Sequence, residues 1–153
     1  MDNEIVISSV TILFFSIMTD TISKEHRSWN MSRIKGKNTK PEVTVRSLLH
    51  KMGYRFRLNR KDLPGKPDIV LPKYNTVIFI HGCFWHQHKN CSRSNIPKTN
   101  DKYWIPKLEK NILRDKQVIK NLRKLNWNVF VLWECEIKNI KKIKREINRI
   151  LND

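Results

Sequence analysis

Acidic residues are scarce in this chain. Among 153 residues, 14 Asp and Glu stand against 31 Lys and Arg, a formal charge of +17. Solubility needs far less, a net charge of about 2–8 in a small domain. An imbalance of this size points to a polyanionic partner, nucleic acid before an anionic membrane. Cysteine is nearly absent as well. Three cysteines cannot all pair within one chain, which excludes the disulfide framework of a small secreted domain. No internal repeat and no long linker is visible. The apolar stretch IVISSVTILFFSIM at 5–18 falls short of the roughly 20 residues that span a bilayer. Asp2 and Glu4 precede it instead of a basic region, and no small-residue cleavage site follows, so it does not read as a signal peptide. Residues 1–17 are taken as an N-terminal extension and 18–38 as a basic arm, with a short helix around Ser28–Ile34. Residues 39–153 form one domain, and the protein is expected in the cytoplasm, at the nucleoid, with no membrane partner.

Local patterns supply the elements. Thr39-Lys40-Pro41-Glu42 spells a capping box with an early proline, Val45, Leu48, Leu49 and Met52 follow at helical spacing, and Gly53 closes the helix. Glu42 lies at the edge of that apolar stripe, facing the body of the protein. Tyr54, Phe56 and Leu58 alternate with arginines and predict a half-buried strand. Asp68–Leu71 and TVIFIH, separated by the turn PKYN, predict a hairpin in a covered sheet. A long helix is expected over 103–125, with Leu108, Ile112, Ile119 and Leu122 as its stripe and Asp115 in the stripe's gap. WNVFVLWE is apolar on both faces and predicts a central strand with Cys135 at its end. Ile140 to Leu151 predicts an amphipathic, lysine-dense helix. The resulting order, α-β-β-β-α-β-α, predicts a three-layer α/β domain around a mixed sheet.

The stretch HGCFWHQHKNC at 81–91 concentrates three of the five histidines and two of the three cysteines. Cys83, His88 and Cys91 are separated by four and two residues, and Cys135 can return beside them from a neighbouring strand end. Three thiolates and an imidazole make a closed tetrahedral zinc site, which is structural because no position is left for water. On spacing alone, His86 competes with His88 as the fourth ligand. Phe84 and Trp85 stand inside this cluster, where metal loops usually carry polar or small residues. Upstream, Pro67-Asp68 opens one strand of the hairpin and Phe79-Ile80-His81 ends the other. That is the layout of PD…(D/E)xK nucleases, with Phe79 and His81 in the acidic and lysine places.

Taken together, NMSRIKGKNTKPE, LPGKPDIV, VIFIHGCFWHQHKNC, the Tyr103-Trp104 pair, KNILRDK and VLWEC closely resemble the very short patch repair endonucleases, from about Met18 to at least Ile137. The resemblance implies a restriction-endonuclease-like fold. The implied activity is nicking of the strand that carries the thymine of a T·G mismatch left by deamination of 5-methylcytosine. It implies a Mg²⁺ held by Asp68 and the backbone carbonyl of Ile80, where a well-known member has threonine. It implies His86 as the base that activates water and His81 as an assistant at the phosphate, which leaves His88 for zinc. Glu42 and Asp115 match carboxylates beside the site. Phe84, Trp85 and Trp104 match side chains that wedge into the DNA stack, where a mismatch is already poorly stacked. Between Cys83 and Cys91 this chain has one residue more than that member. The expected partner is double-stranded DNA bearing a T·G mismatch, met by a monomer, with downstream mismatch-repair proteins as further partners. Two other readings compete. A non-catalytic, zinc-stabilised DNA-binding module would have no need of Asp68, Glu42, Asp115 and His86. A restriction endonuclease of the same fold would want an intact (D/E)xK, against which Phe79 speaks.

Overall fold

The structure, a computed structural model, describes residues 36–97 and 100–152, with a few isolated residues between 23 and 33. The chain divides into two compact units, Met1–Ile34 and Lys35–Asp153, and every element below belongs to the second. The expected N-terminal extension lies outside the described residues, as does most of the expected arm with its short helix. Among the described residues, no helix is long and apolar enough to cross a membrane.

Helix α1, Lys40–Lys51, starts as its sequence dictates. The Thr39 hydroxyl accepts from the Glu42 N–H while the Glu42 carboxylate accepts from the Thr39 N–H, and Gly53 follows the helix at φ 83°. Strands β1 (Ile69–Leu71) and β2 (Thr76–His81) form the expected antiparallel hairpin, with Ile69 opposite Ile78. Helix α2 runs Asp101–Lys124 and leads into β3, Asn128–Trp133, which pairs parallel to β2 from Thr76–Asn128 through His81–Trp133. A short helix α3, Glu134–Ile137, and the amphipathic α4, Ile140–Asn152, complete the chain. The sheet is therefore mixed, with order β1-β2-β3.

Both faces of the sheet are covered, which makes three layers. Ile69, Leu71, Ile78 and Leu132 pack with Val45 and Leu49 of α1, Ile137 of α3 and Ile143, Ile147 and Leu151 of α4. On the other face Val70, Val77 and Phe79 pack with Leu63 and with Leu122 of α2. Each fully buried aliphatic side chain stabilises the domain by about 1.5–3 kcal/mol. Gly65 shows how closely α2 lies: a Cβ there would stand 2.3 Å from Val118 Cγ1, and the residue has φ 70°.

Two expectations are corrected. The strand expected over Tyr54–Leu58 is a single bridge, with Arg57 and Val70 exchanging two 2.8 Å hydrogen bonds. β1 is only three residues long, so one position is all it offers a further neighbour. Tyr54 and Phe56 still pack on the core, which explains the alternation. Nor is β3 central; among the described residues it is an edge and β2 is the middle strand. Its two apolar faces arise because both helical layers extend over it, Phe130 and Leu132 meeting one and Val129 and Val131 the other.

Candidate active site

The alternation of β2 sorts the site residues. Phe79 sits in the core beneath α2, and His81, two positions on, shares that face with its ring 5.9 Å from the Phe79 ring. Phe79 is 8% exposed, so the place where a (D/E)xK nuclease carries its second acid is here filled core. Asp68, just ahead of β1, reaches across the hairpin: its Oδ2 accepts the Ile80 N–H at 2.8 Å. Burial pushes the Asp68 carboxyl above the ordinary aspartate range. The Ile80 hydrogen bond works against this, the Glu42 charge reinforces it, and Arg46 and His86 pull the other way. A desolvated carboxylate is an oxygen donor short of positive charge, which suits a hard cation such as Mg²⁺.

The two histidines lie face to face. The rings of His81 and His86 stack at 3.8 Å with planes 9° apart, and His86 Nδ1 lies 2.5 Å from Asp115 Oδ2. Asp115 is fixed from its other oxygen by Arg114 Nη2 at 3.2 Å. Its carboxyl sits below the ordinary range because the bond to His86 and the charges of both histidines outweigh its burial. Burial, with the neighbouring His86 charge, pushes His81 down to about 4, so it is neutral at physiological pH. His81, His86 and Asp115 are near enough to hold a metal. Parallel stacked rings, however, direct their lone pairs side by side rather than at one point, and His86 Nδ1 already has Asp115 as partner. The arrangement suits proton handling. The Asp115 carboxylate accepts a hydrogen bond from His86 Nδ1–H, an orientation that leaves Nε2 free to meet another proton.

Glu42 is placed differently from Asp115. It is 6% exposed, but both its oxygens are taken: Oε1 by the Thr39 hydroxyl at 2.8 Å, Oε2 by Arg46 Nη2 at 2.6 Å and the Asn38 N–H at 3.1 Å. Glu42 forms no hydrogen bond to either histidine, and it bears on the site through its charge on Asp68. Among the described residues, buried Arg46 Nε has no hydrogen-bond partner.

Beyond β2 the loop turns back on itself. Cys83, His88, Cys91 and Cys135 offer ligand atoms within 4.8 Å of one another, with His88 Nδ1 3.3 Å from Cys135 Sγ and 3.7 Å from Cys83 Sγ. Around a tetrahedral zinc, legs of about 2.3 Å to sulfur and 2.1 Å to nitrogen give edges near 3.6 Å, so the donor set fits the ion in type and spacing. Burial, with the neighbouring thiols, raises Cys83 to about 12; a bound cation would reverse that and hold it as thiolate. The loop turns at two left-handed residues, Gln87 and Asn90, φ 49° and 57°. The Ser94 hydroxyl ties the loop to the carbonyls of His88 and Cys91 at 2.8 and 2.6 Å.

Phe84, Trp85 and Trp104 form one aromatic group with centroids 5.1–6.0 Å apart. Phe84 and Trp85 are half-buried, whereas Trp104 is 6% exposed and backs them. Lys107 and Asn111 escaped the sequence reading; with Tyr103 and Asp115 they recur every four residues on α2. Lys107 Nζ lies over the rings of Tyr103, Trp85 and Trp104 at 5.0–5.8 Å, and Asn111 Nδ2 donates to the Trp85 carbonyl at 3.2 Å. That polar stripe at a spacing of four was the available signal. Arg46 was likewise visible as the i+4 partner of Glu42.

The fold is shared with the catalytic domain of homing endonuclease I-Bth0305I, with a TM-score of 0.52 at 18% identity over 74% of this chain and 94% of that one. Fold and relatives together define a DNA endonuclease. The family profile described as DNA mismatch endonuclease Vsr matches residues 19–93. DNA mismatch endonuclease Vsr of Escherichia coli is 40% identical over 129 residues, 84% of this chain and 82% of that protein. The type II nicking enzyme V.XorIIP of Xanthomonas oryzae pv. oryzae is 47% identical over 135 residues, 88% and 98% of the two chains. The chain belongs to the Vsr family of DNA mismatch endonucleases.

Proposed function

We propose that this endonuclease nicks the strand carrying the thymine of a T·G mismatch, by Mg²⁺-dependent hydrolysis of one phosphodiester bond. The observation that carries the reading is the His86–Asp115 pair at 2.5 Å, stacked on His81 at the end of the strand whose Ile80 N–H holds Asp68. Asp68 and the Ile80 carbonyl would hold Mg²⁺, whose charge would offset that of the phosphate when bound. Neutral His86 accepts the proton of the attacking water through Nε2, and Asp115 stabilises the imidazolium that results. The water oxygen bonds to phosphorus as one ester P–O bond breaks. His81, neutral and buried, stands beside the phosphate. Cys83, His88, Cys91 and Cys135 would hold a structural Zn²⁺ that keeps the loop rigid. Phe84 and Trp85, backed by Trp104, then push into the stack at the mismatch, where unstacking costs less than the few kcal/mol of a paired step. The formal charge of +17 suits the DNA backbone.

A T·G duplex and its T·A control, each incubated with Mg²⁺, test the reading. One-strand nicking of the T·G duplex alone is expected, abolished in Asp68→Asn while mismatch binding survives. Nicking by Asp68→Asn would move the catalytic centre elsewhere.

A further inference from the structure

The rings of the site form one continuous file. His86 stacks on His81, His81 meets Trp133 edge to face at 5.4 Å and 76°, and Trp133 stacks on His88 at 4.1 Å and 5°. One end of the file is fixed by Asp115, the other by the sulfurs around His88. Trp133 lies between the two halves because the parallel register sets it beside His81, while the next residues turn into α3 and carry Cys135 to the cluster. The His81 ring is held by packing: Phe79, His86 and Trp133 surround it, and among the described residues no side-chain hydrogen bond fixes it. A wide, flat indole can cover one imidazole with its face and stop another with its edge. An aliphatic side chain offers neither a flat face nor a ring edge.

We infer that Trp133 is a positioning residue that carries the rigidity of the Cys/His cluster to His81, and through it to His86. The inference rests on the proposed roles of those two histidines. It adds that the zinc loop and the proton-handling pair are one mechanical unit, joined through a residue that touches both.

The test uses the full chain loaded with zinc, in wild-type, Trp133→Leu and Trp133→Phe forms. Zinc content, mismatch Kd, single-turnover nicking of a T·G duplex with Mg²⁺, and proton NOEs from residue 133 to His81 and His88 are read in each. Leucine is expected to leave zinc content and Kd unchanged while slowing nicking about 10- to 100-fold, the scale of a catalytic group displaced by an ångström or less. Phenylalanine, which can still stack, is expected to restore most of the rate. A folded variant that has lost the NOE to His81 yet nicks at the wild-type rate overturns the inference. So does a leucine variant that loses zinc and rate in proportion, because the residue would then serve the cluster alone. Should Trp133→Leu not fold, Trp133→Phe carries the same comparison of NOE with rate. If the wild type does not nick T·G duplexes, the proposed function fails by itself. The ring file is then decided by the wild-type NOEs, whose absence would overturn it.

Discussion

Replacing Asp115 with Asn isolates the proton-handling pair. The carboxylate accepts from His86 Nδ1 at 2.5 Å and is itself held by Arg114, so the substitution keeps shape and removes charge. A hydrogen bond to a charged group contributes about 1.5–3 kcal/mol, and the imidazolium formed as His86 takes a proton would lose that support. At about 1.36 kcal/mol per tenfold, the expected loss in rate is roughly 10- to 150-fold. An amide can also turn its NH₂ towards Nδ1, favouring the tautomer whose proton sits on Nε2, which deepens the loss towards the 10²–10⁴-fold scale of a missing general base. Single-turnover nicking of a T·G duplex with saturating Mg²⁺, from pH 5.5 to 9, reads the effect. Mismatch binding is expected to hold. The stability consequence has its own sign. Asp115 sits below its ordinary range in the fold, so its contribution is present above the unfolded aspartate value of about 3.9 and is lost as pH falls below that towards the lower folded value. Asp115→Asn should therefore unfold more readily than wild type at neutral pH and approach it in strong acid. A variant that nicks within threefold of wild type at every pH would refute the assigned role, since 1.5 kcal/mol already exceeds that.

Three other outcomes are expected. Purified protein should hold one equivalent of Zn²⁺, and Cys135→Ala should lose both the metal and much of its thermal stability, because ligand binding and folding are coupled; metal analysis and a melting curve check it. Trp85→Ala should bring mismatch and matched binding closer together at normal zinc content, and an intact T·G preference in a direct titration would remove the wedge. Burial holds His81 down to about 4, so the fold should lose up to about 3 kcal/mol as pH drops from the unfolded histidine value of about 6.5 towards 4. Denaturant midpoints of His81→Phe, which cannot take up a proton there, should show a flatter pH dependence, and an unchanged slope would contradict the burial argument.

Legibility in the sequence followed the range of the interaction. The capping box at Thr39–Glu42, the hairpin, the long helix and the amphipathic end are set by neighbours three or four residues apart, and the structure has them all. The gap at Asp115 was readable because a carboxylate interrupts an apolar stripe, and the structure puts it on His86. Glu42 carried the same kind of signal for another reason, since capping and Arg46 occupy both of its oxygens. The edge position of β3 was hidden because apolarity on two faces reports helices above and below, not strands on either side. Trp133 was opaque for a similar reason: it stands in an apolar run, and only the parallel register sets it against His81.

That register also has a consequence for how the protein is made. Cys83 and Cys135 lie at opposite ends of a stretch that includes all of α2 and β3, and β3 must be laid beside β2 before they can meet. Asp68, His81 and His86 leave the ribosome long before Cys135 does. Under the proposed zinc site, a growing chain would carry every catalytic side chain while still lacking the last ligand that locks the aromatic loop. A basic nascent chain attracted to DNA would thus meet it without a rigid wedge, and competence to cut would arrive only once Cys135 has emerged and joined the cluster.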